Sequence, residues 1–187
     1  MSRSRLSLAS ALIATAAAVF VPASDPAITY AGRTRINADG SRSFDWEGTS
    51  FFVTVTGGTY VAVHVNTTGG ARTRLVCNAS TASALLWVDS STNAKPLTIS
   101  SALPGGSVVV SVFNSVEPMY SGASATAYFT FEGFSTDGTV STTPPRAHSI
   151  QFIGDSITAG FGSLGSASTP GCSVSSATSS SYNSWGK

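Results

Sequence analysis

Residues 60–66 read Tyr-Val-Ala-Val-His-Val-Asn, an alternation that puts Val61, Val63 and Val65 on one side of an extended chain and Tyr60, Ala62 and His64 on the other. A half-buried β-strand satisfies that period, whereas a helix would scatter the same valines around its axis. Similar β-rich runs recur at 44–46, 50–56, 74–77, 85–89, 97–100, 108–115 and 125–131. Turn formers separate them, at Gly57-Gly58, Gly69-Gly70 and Pro104-Gly105-Gly106. Between Ile28 and Phe134 no stretch carries a helical period. Short strands at this spacing predict a mainly β fold, a jelly-roll-like β-sandwich over residues 28–135. In it His64 reads as a surface or edge residue opposite the valine face. Trp46, Trp87 and the phenylalanines read as core before they read as a sugar-stacking platform.

Composition supports a packed domain and excludes some functions. Of 187 residues 42% are hydrophobic, enough apolar surface to oppose chain entropy, and only 10% are charged. A net charge of +1 is not that of a nucleic-acid binder. The N-terminus has Arg3 and Arg5, an apolar Ala-rich run from Leu6 to Val21, and then Pro22-Ala23-Ser24. This is the layout of a secretory signal peptide over residues 1–23, and the run is too short for a membrane anchor. The expectation is therefore a secreted, extracellular protein with no membrane association after processing.

Cys77 and Cys172 are allowed to form a disulfide in an oxidising compartment, without spacing that requires it. Together with His64 and His148 they match no zinc spacing, so no metal or other cofactor is expected. Asn66-Thr67-Thr68 and Asn78-Ala79-Ser80 are sequons, making Asn66 and Asn78 possible glycosylation sites.

The composition changes near Ser135. Residues 136–147, which contain Thr142-Thr143-Pro144-Pro145, read as a linker, and residues 148–187 begin a second unit. There the run Ser149-Ile150-Gln151-Phe152-Ile153 leads into Gly154-Asp155-Ser156-Ile157-Thr158-Ala159-Gly160. A serine at a strand-to-loop junction can present its hydroxyl at the carboxyl edge of a sheet, where α/β folds keep their sites. Thr158 stands where a G-x-S-x-G elbow needs its second glycine, so this is a different arrangement. Gly154 permits a tight turn, and the Ser156 N–H is placed to stabilise an oxyanion. A plain turn capped by Asp155 or Ser156 is the competing explanation.

The longer string Ile-Gln-Phe-Ile-Gly-Asp-Ser-Ile-Thr-Ala-Gly-Phe-Gly resembles the first block of the SGNH, or GDSL-type, hydrolases. Upstream, Tyr30-Ala31-Gly32-Arg33, Phe44-Asp45-Trp46-Glu47-Gly48-Thr49, Val116-Glu117 and Phe131-Glu132-Gly133-Phe134 are similar to the β-sandwich of the second carbohydrate esterase family, the acetyl-xylan-esterase type. The resemblance covers about residues 28–162. It implies a serine esterase that removes acetyl groups from polysaccharide or a small acetyl ester. Ser156 would be nucleophile and backbone oxyanion donor, with Gly154 and Asp155 shaping its turn.

That family also needs a later oxyanion glycine and asparagine and an Asp-x-x-His motif, and no histidine follows Ser156 here. A serine without a base is a weak nucleophile at neutral pH. The expectation is thus a sandwich followed by the first strand and loop of an incomplete α/β domain, with little activity alone. Residues 163–181 read as an exposed Ser-rich loop, and Tyr182-Asn183-Ser184-Trp185-Gly186 as the start of a helix. The alternative is a non-catalytic secreted sandwich that binds glycan or protein.

Overall fold

The structure, a computed structural model, describes residues 17–80, 82–118, 123–124, 126–144, 155–156, 159–165, 175 and 177–184. These form twelve strands: β1 (Val19–Pro22), β2 (Thr29–Ala31), β3 (Arg35–Ile36), β4 (Arg42–Phe44), β5 (Ser50–Thr56), β6 (Val61–Thr67), β7 (Thr73–Ala79), β8 (Ala82–Val88), β9 (Pro96–Ser100), β10 (Ser107–Asn114), β11 (Phe129–Thr136) and β12 (Thr139–Ser141). Two antiparallel sheets result. One runs β3-β4-β11-β6-β9 with β1 also on β11, and the other runs β12-β5-β10-β7-β8 with β2 also on β5.

Strand alternation builds the core between the sheets. Val61, Val63 and Val65 on β6 face Phe51, Val53 and Val55 on β5, and Val110 and Val112 on β10 complete the layer, all at most 1% exposed. Burying a side chain of this size stabilises the fold by about 1.5–3 kcal/mol. A phenylalanine cluster fills one part of the layer. The Phe51 and Phe131 rings stack at 4.3 Å, and Phe44 and Phe134 meet them edge-on at 5.1 Å.

Phe131 and Phe134 are three residues apart and would face opposite sides of a regular strand. Both point inward because β11 bulges at Gly133, where its register against β6 shifts. Gly133 has φ +150°, and a Cβ there would lie 2.1 Å from the Val21 carbonyl oxygen. The residue-free side of this glycine is what lets β1 pair with β11.

Three features differ from the expectations. First, β1 and β12 are sandwich strands outside residues 28–135, one inside the expected leader and one inside the expected linker. Val21 and Ala23 are buried, the Ala23 N–H donates to Glu132 O at 2.7 Å, and the Tyr30 hydroxyl donates to Ala23 O. Their apolar side chains and backbone groups are therefore used by the fold. Second, the 44–46 run pairs as β4 and ends at Phe44, so that Trp46 is 48% exposed in a turn while the phenylalanines fill the core. Third, β11 begins at Phe129 and continues through the bulge to Thr136. Residues 149–153, the expected first strand of the second unit, lie outside the described residues. Among the described residues no helix is long and apolar enough to cross a membrane.

Candidate active site

Ser156 is exposed and opens a tight turn. Its carbonyl oxygen accepts the Phe161 N–H at 2.9 Å, and that of Asp155 accepts the Ala159 N–H at 3.0 Å. These bonds pull the chain back on itself immediately after the serine. The returning segment is zipped to residues 178–180: Leu164 N–H donates to Thr178 O at 2.9 Å, and Ser180 N–H donates to Gly160 O at 3.0 Å. Gly160, at φ +75°, makes the close approach possible, because a Cβ would sit 2.2 Å from Ser180 O.

The strap formed by residues 178–184 is stapled to the outer face of the second sheet. Arg74 Nη2, on β7, donates to Ser179 O at 2.7 Å. Ser181 N–H donates to Ser115 O at 3.0 Å, just past β10, and the Tyr182 ring meets Phe113 edge-on at 5.4 Å. Ser179 and Ser180 are 2% and 1% exposed, so this part of the expected surface loop is buried against the sandwich. The expected helix start at Tyr182 is a 3₁₀ turn, Ser181–Asn183. Arg74 was missed at the sequence level although it left a signal: a cation in a strand otherwise apolar implies a covering partner. It is 5% exposed, lies over the Trp87 ring at 5.4 Å, and burial pulls its pKa down.

The same end of the sandwich holds the Trp46 turn. Asn114, fully buried, donates from Nδ2 to Trp46 O at 3.0 Å and accepts on Oδ1 from the Thr73 hydroxyl at 2.7 Å, while its carbonyl oxygen accepts the Gly48 N–H at 2.8 Å. Beside this turn, burial and the nearby Glu117 raise the Glu47 carboxyl to about 7. Asn114 and Ser115, adjacent in the chain, thus hold the Trp46 turn and the strap that follows Ser156.

Of the remaining sequence candidates, Asp155 is exposed beside Ser156, and Gly154, Cys172 and His148 lie outside the described residues. Among the described residues the Ser156 hydroxyl has no hydrogen-bond partner. Cys77 is a free thiol facing the inter-sheet core at 0% exposure, and no disulfide reaches it there. His64 Nε2 bonds the Ser135 hydroxyl at 2.7 Å on the outer face of the first sheet, with the Phe20 ring edge-on to it at 5.1 Å. Both ends of the Asn66 amide are used: Nδ2 donates to Glu132 Oε1 at 2.5 Å and Oδ1 accepts from Ala94 N–H at 2.7 Å. A glycan at Asn66 would be attached to Nδ2, the atom that donates to Glu132, and would leave it a single N–H. Asn78 is half-buried on β7. Among the described residues no three His, Cys, Asp or Glu side chains come together as a metal site.

No family model matches the chain, and no curated protein matches it. Solved structures do. A family two carbohydrate esterase from Cellvibrio japonicus superimposes with a TM-score of 0.66 at 20% identity, over 89% of this chain and 47% of that one. One from Clostridium thermocellum, in complex with cellohexaose, gives 0.68 at 21% identity, over 83% and 45%. The acetyl xylan esterase Est2A from Butyrivibrio proteoclasticus gives 0.59 at 18% identity, over 79% and 40%. The chain spans about half the length of these structures. It shares with family two carbohydrate esterases the fold of the sandwich that makes up most of its length.

Proposed function

We propose that this chain is the N-terminal part of a secreted serine esterase of the SGNH type that removes O-acetyl groups from polysaccharide. The observation that carries the reading is the exposed Ser156, at the head of a turn fastened by Gly160, Ser179 and Arg74 to a sandwich with the family two carbohydrate esterase fold. A serine on a backbone turn anchored to the sandwich, with its hydroxyl open to solvent, suits attack on an ester carbonyl. In the reaction Ser156 Oγ adds to the acetyl carbonyl, and its own backbone N–H stabilises the oxyanion. The sugar oxygen then leaves with a proton, and water releases acetate from the serine. The histidine that takes the serine proton, and the further oxyanion donors, come in this reading from the half of the relatives' length that this chain does not span. Arg3, Arg5 and the apolar run ahead of β1 support export, with the leader ending before Val19 because Val21 and Ala23 are built into the fold.

The test is an assay of the longer protein and its Ser156→Ala variant on an acetylated xylo-oligosaccharide. The variant is expected to lose at least about a thousandfold in kcat, as for removal of other serine nucleophiles. A variant as active as the parent sinks the reading.

A further inference from the structure

Beside the Trp46 turn the sandwich contains an open groove of about 460 Å³, a volume in the range of small-molecule sites. Phe44 and Ala127 lie at its buried base, and Arg33, Arg35, Trp46 and Tyr128 line it. Arg33 lies 4.2 Å over the Trp46 ring, and Arg35 lies 5.6 Å over the Tyr128 ring. A guanidinium stacked on an aromatic face keeps its N–H edge directed outward, in the planar fork that matches a carboxylate. The ion pair found among the described residues joins Arg72 to Asp89, away from the groove. Asp45 also lines the groove and Glu117 senses the charge of Arg33, so the two guanidinium groups share their surroundings with two carboxylates. Among the described residues neither Arg33 nor Arg35 is within ion-pair distance of a carboxylate, so both keep N–H donors for a ligand.

We propose that this groove binds the carboxylate of a uronic acid residue carried by the polysaccharide. The aromatic edges of Trp46 and Tyr128 would contact the apolar face of the sugar, and Arg33 and Arg35 would hold its carboxylate. The proposal rests on the esterase reading for the kind of chain bound, and it adds an acidic-sugar preference that the sandwich itself supplies. Placement favours one continuous ligand. Asn114 holds the carbonyl of Trp46, and its chain neighbour Ser115 holds Ser181 of the strap behind Ser156. A polysaccharide seated in the groove therefore lies at the end of the sandwich from which the serine is presented.

Binding is measured by calorimetry on the 187-residue chain, with a xylo-oligosaccharide bearing one glucuronate branch, the same oligosaccharide without it, and free glucuronate. The branched oligosaccharide is expected to bind at least about tenfold more tightly than the neutral one, the value of one charge-assisted hydrogen bond. Added salt should shrink that preference. Arg33→Gln and Arg35→Gln each reduce it, and Trp46→Ala weakens both oligosaccharides; thermal melts check that the variants fold. Equal affinity for the two oligosaccharides, no binding of either, or a preference that survives the double arginine variant overturns the proposal. Free glucuronate binding as tightly as the branched oligosaccharide overturns the polysaccharide assignment. Calorimetry on the 187-residue chain needs no esterase activity, so a longer protein inactive on acetyl esters would end the esterase reading while the groove still stood or fell by its own binding data.

Discussion

The guanidinium of Arg74 is bound to the carbonyl oxygen of Ser179 at 2.7 Å across a separation of 105 residues, and this bond ties the strap behind Ser156 to the sandwich. Arg74→Ala removes the donor and the charge together, leaving the Ser179 carbonyl without its partner. The expected cost is about 1–2 kcal/mol, concentrated in the strap. Amide hydrogen exchange should show Ser180 and Ser181 losing protection while Val53 and Val110 keep theirs. Arg74→Lys, which retains a donor and a charge, should restore part of it. Uniform loss across both sheets would mean that Arg74 supports the sandwich and not the strap.

At the opposite sheet, Gly133 receives the Val21 carbonyl where any side chain would collide with it. Gly133→Ala should destabilise the protein by about 3 kcal/mol, from backbone strain and displacement of β1, read as a lower urea midpoint. The same contact predicts different results for two truncations. A chain beginning at Val19 keeps β1 and should melt like the parent, whereas one beginning at Ser24 loses the buried Val21 and Ala23 and should melt several degrees lower. Equal melting of the two would show that β1 contributes nothing to the fold.

The long strands were legible because each has one face in the core, so that period two survives in the sequence: β5 was read at its full extent, 50–56, and Val61, Val63 and Val65 on their correct side. The short strands β2, β3 and β12 were not, since two or three residues cannot display a period. β1 was hidden by its composition, because Val-Phe-Val-Pro after an alanine-rich run reads equally as the end of a leader. The bulge at Gly133 was invisible for another reason: a glycine in a strand signals a bulge or a close contact, and only the partner strand shows which. Ser156 stood out through its motif. Its attachment through Arg74 and Ser115 did not, because those bonds run to backbone carbonyls, which have no sequence signature.

Glu47 should make stability depend on pH in the direction opposite to that of an ordinary carboxylate. Burial, then the charge of Glu117, raises its pKa from 4.5 to about 7. Glu117 is raised too, by burial and then Asp45, with Arg33 opposing. Between those two values the folded protein holds a proton that the unfolded chain has released, so stability is fully present below pH 4.5 and falls as the pH rises toward about 7. Glu47 is partly solvated, which discounts the loss to about 1 kcal/mol. Glu47→Gln should melt higher than the parent at pH 8 and lose less stability between pH 5 and pH 7. An unchanged slope in the variant would remove Glu47 as its source.

Cys77 offers a test of the core itself. Strand alternation on β7 turns its thiol between the sheets at 0% exposure, and burial pushes its pKa up to about 12. A thiol that is both inaccessible and protonated is a poor nucleophile. In a Cys172→Ser variant, which leaves Cys77 as the one thiol, an aromatic disulfide reagent at pH 8 should react only as fast as the protein unfolds, and at once in concentrated urea. Cys77→Ala should cost about 1 kcal/mol for a small cavity, and Cys77→Ser about 2 kcal/mol, since its hydroxyl would be buried among valines. In the parent, denatured without reductant, two titratable thiols are expected. Finding none would mean that Cys77 and Cys172 are joined, which requires the second sheet to open around β7 and would overturn the packing described for it.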